Sequence, residues 1–560
     1  MEISNRVGEA QKVLGQGRNL LQSCWSTVKN HCLINGRISS SRLDEFQLVC
    51  YELALSTAEI TGAELLLEYA QRLRSKASNP GAEMMLEEKI AFTFCSEILH
   101  SVRSRLAARK ADFGLSSTTL NTALYSQETE NFCDRYLRSQ SLEELGRSLL
   151  ELDGRTGDSL LDEEKTIMVE SFRKFAEKVV VPLAEEIHRK DLIIPDEIIN
   201  PLIELGCFGL SIPMKYEGIQ ADDQEDNLGM IVVTEELSRA SLGAAGSLIT
   251  RPEIMAKSLL RGGTEEQKQD WLPKLAAGDP LCAIAITEPD FGSDVASIQL
   301  KASKTEGGWL LQGEKTWCTF GGKAGVLLTL ARTNPDMSLG HRGLSLFIVE
   351  KPSSDGHEFN FTQKEGGSIS GKAIPTLGYR GMHSFNVFFD DYFVPDSGLL
   401  GEEAGEGKGF YFTMAGFSGG RIQTASRANG LMQAAYEQAL EYAKNRKIFG
   451  KPLSNYQLTL VKLAKMACLL TASRQFTYSV GRLLDSGNGQ MEASMVKLFA
   501  CKSAEWICRE ATQIHGGLGY AEETPVSRYF VDSRVLSIFE GAEETLALKV
   551  IAKTMIEQAD

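Results

Sequence analysis

The sequence predicts an α+β chain that is mostly helical. Three observations carry the prediction. Long segments before residue 278 place apolar residues three and four apart. Short β-branched runs cluster between residues 283 and 389. Helical spacing then returns after Gly409 and continues to the end. The expected order is an N-terminal helical extension (1–155), a helical domain (156–278), a sheet domain of barrel-like character (279–397) and a C-terminal four-helix bundle (398–560). At ~150 residues per domain, 560 residues accommodate that number.

Within the extension, Leu43 to Leu73 and Met84 to Leu106 keep helical spacing and contain no Pro. Asn79-Pro80-Gly81 between them signals a turn. The polar stretch Gly154 to Glu163 reads as a linker. Lys165 to Arg189 and Asp196 to Leu205 follow as helices, the second carrying Pro201 inside it. Thr264 is placed to cap a helix from Glu265 to Ala277. Strand-like runs come next: Ala283 to Thr287, Trp309 to Leu311, Gly325 to Ala331, Leu344 to Val349 and Asn386 to Phe389, with Gly and Pro between them. Phe410 to Lys444, Tyr456 to Leu484, Gln490 to His515 and Glu543 to Glu557 form the closing helical set. An internal repeat is also visible. Leu43, Phe46-Gln47-Leu48 and Leu53-Ala54 match Leu453, Tyr456-Gln457-Leu458 and Leu463-Ala464 at one offset, and Leu86 to His100 matches Met491 to Glu505 at a slightly different one.

Composition excludes several classes. A net charge of −15 argues against a general nucleic-acid surface, which needs a basic face. No apolar run approaches the ~18 to 20 residues that span a bilayer, and Met1 to Arg6 opens no signal-peptide core, so the expected location is the cytoplasm. The eleven cysteines form no Cys-x-x-Cys pair and read as reduced thiols. No metal site is expected.

No Gly-x-Gly-x-x-Gly opens a βαβ unit, and neither a Walker A sequence nor His-Glu-x-x-His occurs. What the chain carries instead is a series of motifs in a fixed order. They are Ala285-Ile286-Thr287-Glu288-Pro289 with Gly292-Ser293-Asp294, Gly313-Glu314-Lys315-Thr316-Trp317-Cys318-Thr319, Ala331-Arg332-Thr333 and Gly378-Tyr379-Arg380-Gly381. After these come Asn445-Arg446-Lys447-Ile448-Phe449-Gly450-Lys451, Gln513-Ile514-His515-Gly516-Gly517-Leu518-Gly519-Tyr520 and Phe539-Glu540-Gly541. Together they resemble the acyl-CoA dehydrogenase family over residues about 160 to 560.

The resemblance implies FAD as cofactor and α,β-dehydrogenation of an acyl-CoA. Glu540 becomes the base for the weakly acidic α C–H, with a pKa expected to rise as substrate excludes water. The family's thioester oxygen is held by the backbone N–H of that glutamate and a ribityl hydroxyl of FAD. Some members carry the base just before the residue equivalent to Arg421; here that position is Gly420. Thr287 and Thr319 are expected at the flavin edge, Trp317 against the ring and Ser293 at the pyrophosphate. Arg446 and Gln457 are expected to reach the FAD of a neighbouring subunit, with Gly516 and Gly517 approaching the same cofactor, which implies a homodimer or dimer of dimers; Phe449 and Gln513 are expected among the cofactor-binding residues. Read without the resemblance, Trp317 is sheet core and His515-Gly516-Gly517 a helix-terminating turn. Electron-transferring flavoprotein is the implied electron acceptor.

Arg421 and Gly541 are expected at the substrate, and so is Arg251. Ungapped alignment puts Arg251 at the base of the acyl pocket, where straight-chain enzymes are mainly apolar. A buried guanidinium there needs a partner. A substrate carboxylate would serve, and so would Glu253 or Asp270. The first reading favours a dicarboxylic thioester. The overall length and the long helical extension resemble a family member with a short branched diacid substrate, which implies methylsuccinyl-CoA, oxidised to mesaconyl-CoA in a bacterial assimilation pathway. The arginine of glutaryl-CoA enzymes falls near Ala244 here. Departures from the family pattern are Ala542 for Thr, Glu544 for Gln and Ser418 for Asp. Three other readings stay open: another short- or branched-chain acyl-CoA dehydrogenase, an O2-reducing acyl-CoA oxidase, and a catalytically silent relative acting as an interaction protein.

Overall fold

The computed structural model describes residues 3–76, 84–364 and 366–559, so the turn expected at Asn79-Pro80-Gly81 lies outside the described residues. Two compact units are formed, one by Met1–Thr166 with Thr424–Asp560 and the other by Ile167–Gln423.

The first unit is helical. Its extension opens with a helix over Ile3–Cys32, followed by Gln47–Lys76 and Leu86–Ala108. Its C-terminal part contributes Gln457–Asp485 and Gln490–His515, and the end of the helix Gly409–Asn445. The repeat seen in sequence is a packing relation. The pair Gln47–Lys76 and Leu86–Ala108 lies against the pair Gln457–Asp485 and Gln490–His515. Phe94 and Phe499 occupy matching positions in the repeat and meet edge to face, centroids 5.8 Å apart. Lys465 reaches Glu97 at 3.1 Å, and the Cys468 thiol lies 3.7 Å from the Ile90 carbonyl. Each helix of such a pair buries more than half of its residues and needs cover on more than one side. A helix over Pro525–Leu536 was not foreseen. The segment expected as one helix from Glu543 comprises Glu543–Thr545, a π-turn over Leu546–Ala552, and Lys553–Gln558.

The second unit carries the sheet. Its strands are β1 (Cys282–Ala285), β2 (Lys301–Thr305), β3 (Gly308–Thr319), β4 (Val326–Arg332), β5 (Leu344–Glu350), β6 (Glu358–Thr362), β7 (Ser368–Ala373) and β8 (Ser384–Pro395). The order is β1-β4-β2-β3-β8-β7-β6, with β5 also paired to β4. β1 runs parallel to β4, and β2 joins β4 at the single pair Lys301 and Arg332. The other pairs are antiparallel.

Every residue of β4 is buried. Val326, Leu328 and Leu330 face Ile254, Leu259, Leu272 and Leu275 on the helices Thr250–Gly262 and Glu265–Ala276. Leu327 and Ala331 face the other core, with Leu311, Phe347 and Val387. The sheet is thus covered on both faces at its centre, as a curled sheet with a helical layer requires. Thr264 caps Glu265–Ala276 as expected, accepting from the Gln267 amide at 3.2 Å.

Candidate active site

In the second unit, β1 ends into Thr287, whose carbonyl accepts from the Thr316 amide at 2.8 Å. The next residue, Glu288, is a clamp. Its carboxylate accepts from the amides of Gln299 (2.7 Å) and Leu300 (2.8 Å) and from the Lys315 ammonium (2.8 Å). Lys315 is fully buried and also donates to the Ile286 carbonyl at 2.9 Å. Burial pushes Lys315 below its ordinary ammonium range, with Glu288 pulling it back up. The pair fixes both ends of the loop between Thr287 and Leu300, leaving Ser293 exposed on it.

Two residues of β3, Thr316 and Trp317, stand opposite the single residue Asn386 of β8, a β-bulge. The Thr316 hydroxyl donates to Asn386 Oδ1 at 2.6 Å. Trp317 takes φ +56° and leaves its indole 55% exposed. A left-handed tryptophan is costly and rare. The bulge turns outward a ring that ordinary alternation would distribute otherwise. Thr319 is half-buried, its hydroxyl 3.0 Å from that of Ser384. Thr287, Trp317 and Thr319 therefore lie on two hydrogen-bonded segments, offering two hydroxyls and an open aromatic face. That set suits a flat, polar-edged ring system.

Arg251 stands at the start of Thr250–Gly262, 6% exposed, and donates to the Tyr379 hydroxyl at 3.2 Å. Glu253 is held by Lys257 at 3.0 Å and by Gln423, and Asp270 by Lys274 at 2.7 Å. Cys282 is near enough for Arg251 to oppose the burial that pushes its thiol up to about 12. Tyr379 is itself left-handed, at φ +59°. Its loop is anchored where Arg380 donates to the carbonyls of Thr376 (3.2 Å) and His188 (3.1 Å). The same loop reaches the candidate flavin edge, because the Phe320 amide donates to the His383 carbonyl at 2.7 Å. Arg421 is half-buried, and burial lowers its pKa. Among the described residues, one donor atom each of Asp191, His357 and His383 falls within 4.8 Å of the others. Arg380 lies 3.5 Å from Asp191 and already supplies positive charge there.

In the first unit, Glu540 follows the helix Pro525–Leu536 in a left-handed conformation, φ +55°, with Gly541 next at φ +102°. Its side chain is 5% exposed, and Arg427, fully buried, contacts it at 3.0 Å. The Arg427 guanidinium also lies over the Phe539 ring, 4.8 Å from its centroid. Lys497, fully buried too, donates to the Gly541 carbonyl at 2.6 Å. A carboxylate in a dry, strained turn beside two cations is a group with a specific task. Ala542 is half-buried and Glu544 points to solvent.

The remaining expected residues of this unit are exposed: Arg446, Phe449, Gln457, Gln513, Gly516 and Gly517. Phe449 and Gly450 form the two-residue turn of a short hairpin, both at positive φ, with Phe449 93% exposed. Gly516 takes φ +60° and ψ −134°, a conformation open to glycine. His515 stacks on Tyr442 at 4.3 Å, and Tyr442 accepts from the Arg446 amide at 2.8 Å, which draws the two motifs together. Gln457 donates to Glu143 of the extension at 2.8 Å.

Four residues here had no assigned role from sequence: Glu288 and Lys315, although inside quoted motifs, and Arg427 and Lys497. The latter two carried one signal, a cation within an apolar stretch of a bundle helix.

Three family domains match this chain between residues 162 and 556. The acyl-CoA dehydrogenase N-terminal domain matches residues 162–279, the middle domain 283–392 and the C-terminal domain 407–556. The (2S)-methylsuccinyl-CoA dehydrogenase of Cereibacter sphaeroides is 36% identical over 560 residues, 98% of each chain. The solved butyryl-CoA dehydrogenase of Megasphaera elsdenii is 32% identical, with a TM-score of 0.64 over 70% of this chain and 98% of its own. A glutaryl-CoA dehydrogenase of Mycobacterium smegmatis, solved in complex with FADH2, is 27% identical, with a TM-score of 0.62 over 72% of this chain and 96% of its own.

Proposed function

Because this chain belongs to the acyl-CoA dehydrogenase family, and is therefore a flavin-dependent oxidoreductase that uses FAD, we propose that it oxidises a short branched dicarboxylic acyl-CoA, (2S)-methylsuccinyl-CoA, to mesaconyl-CoA. The observation that supports the substrate is Arg251, a buried guanidinium that donates to the Tyr379 hydroxyl. A buried cation in an acyl pocket is matched by an anionic end group on the acyl chain. The similarity to a methylsuccinyl-CoA dehydrogenase along 98% of both chains, extension included, favours the same substrate.

Glu540 removes the α-proton. Its burial excludes water that would otherwise compete for the carboxylate. Thr287, Trp317, Thr319 and Ser293 hold the isoalloxazine edge, face and pyrophosphate in one subunit. Arg446, Phe449, Gln457, Gln513, Gly516 and Gly517 serve the cofactor of a neighbouring subunit, so the working form is a homodimer or a dimer of dimers. FAD, when bound, accepts the β-hydride. Arg421 and the Gly541 backbone hold the CoA thioester. Reducing equivalents pass to electron-transferring flavoprotein.

A panel of acyl-CoAs assayed with a dye acceptor, alongside the flavin spectrum, tests this. Methylsuccinyl-CoA is expected to exceed butyryl-CoA and glutaryl-CoA in kcat/KM. Equal turnover of all three would refute the substrate, and turnover only with O2 would replace the acceptor.

A further inference from the structure

The turn that carries Glu540 is held from two sides. Glu540 and Gly541 are consecutive left-handed residues, at φ +55° and +102°. Such a pair has no regular hydrogen-bonded ladder to support it, and the glutamate is strained there. From one helix, Gly409–Asn445, Arg427 reaches the Glu540 carboxylate at 3.0 Å and covers the Phe539 ring. The same Nη2 donates to the Thr424 hydroxyl at 3.1 Å, which fixes the guanidinium to its own helix. From a second helix, Gln490–His515, Lys497 donates to the Gly541 carbonyl at 2.6 Å.

Neither cation is accessible to solvent. Burying a lysine and an arginine in a helical core is unfavourable unless each is matched, and apolar side chains of like volume would pack there at less cost. Burial indeed lowers the Lys497 pKa, opposed by Cys501 and Glu540. Both cations converge on three consecutive residues, Phe539, Glu540 and Gly541.

We propose that Arg427 and Lys497 are paired positioning residues for the Glu540 base, Arg427 setting the side chain and Lys497 the backbone beneath it. This rests on Glu540 being the base. Arg427 fixes the direction of the carboxyl group through one oxygen and gives the buried carboxylate its countercharge. Lys497 fixes the Gly541 peptide and so the orientation of the whole turn, including the Glu540 amide. A displacement of the base of about 1 Å costs on the order of 10²-fold in rate.

The test uses the full-length FAD-loaded enzyme as Arg427→Lys, Arg427→Met, Lys497→Gln, Lys497→Met and the Arg427→Lys/Lys497→Gln double variant. Bound flavin, kcat, KM and the kinetic isotope effect with α-deuterated methylsuccinyl-CoA and [2,2-²H₂]butyryl-CoA are measured. In Arg427→Met and Lys497→Met we expect kcat to fall roughly 10²-fold, with KM within a few-fold and flavin content unchanged. The α-deuterium effect is expected to rise, because proton abstraction alone becomes slow. Arg427→Lys restores part of the rate. The double variant falls less than the product of its single changes, since both act through one turn.

An unchanged kcat, a loss that merely tracks lost flavin, or a fall without change in the isotope effect overturns the proposal. If the methionine variants do not fold, the Lys and Gln variants decide on the same criteria. Activity in Glu540→Gln is a separate outcome, which removes the base assignment itself.

Discussion

Replacing Lys315 by Met is expected to destabilise the sheet unit and loosen the candidate cofactor edge together. Lys315 is fully buried and is the ion-pair partner of Glu288, whose side chain is 7% exposed. The substitution removes one charge and leaves the other in the interior. Breaking a buried pair in this way costs about 3–5 kcal/mol. Two backbone amides still serve Glu288, at 2.7 and 2.8 Å, which favours the lower end of that range. For a unit of this size, about 3 kcal/mol corresponds to a fall of roughly 6–12 °C in melting temperature. Thermal unfolding followed by circular dichroism reads the loss, and flavin fluorescence reads cofactor release. Glu288 also holds the loop bearing Ser293, so retention of FAD should weaken in parallel. The control is Glu288→Gln with Lys315→Met, which removes both charges and should recover much of the loss. A single variant that melts within about 2 °C of the wild type would refute the reasoning, as would a double variant no better than the single.

Glu540→Gln should keep its flavin and lose at least about 10²-fold in kcat, the ordinary contribution of a general base; near-normal turnover would sink the assignment. Arg251→Met should lower kcat/KM for methylsuccinyl-CoA by roughly 10²-fold while butyryl-CoA changes little, and equal losses would deny Arg251 its carboxylate. Lys351 gives a pH effect of definite sign. Burial lowers its pKa to about 8, while it donates to the carbonyls of Gly322 (2.9 Å) and Pro352 (3.0 Å). Between about pH 8 and the ordinary lysine pKa of ~10.4 the unfolded chain binds the extra proton, so this residue makes stability rise with pH, by up to roughly 3 kcal/mol. Urea unfolding between pH 7.5 and 9.5 should show the wild type gaining on Lys351→Met, and a constant difference would contradict the shift.

The long helices were legible because burial imposes a period on them. Gln490–His515 keeps apolar residues on its covered faces, and its predicted bounds coincide with those observed. The β4 and β5 runs were legible for the opposite reason: they are covered on both faces along nearly their whole length and so are mostly apolar. The strands that escaped notice have neither signature. β2 reads Lys-Ala-Ser-Lys-Thr, β6 is half exposed, and β7 contains Gly371 and Lys372. Their place in the sheet comes from pairing with neighbours far along the chain, which local composition does not encode. Arg427 and Lys497 escaped for a related reason. Each is a single cation whose meaning lies in a turn more than forty residues away.

Backbone conformation adds what residue type could not. Trp317, Tyr379, Phe449 and Glu540 are all left-handed, where a glycine would sit at lower cost. Four bulky side chains held in that region are not there to form the turns. Each turn instead presents a side chain: an indole beside two threonines, a hydroxyl to Arg251, a ring at a hairpin tip, a carboxylate to a buried arginine. The direction of inference matters, since strain points to function only where independent chemistry meets it. Asp391 and Glu402 are left-handed as well and meet no such chemistry. At Glu540 the strain, the burial and the converging cations coincide, and the helices that supply those cations give the turn the support its own backbone lacks.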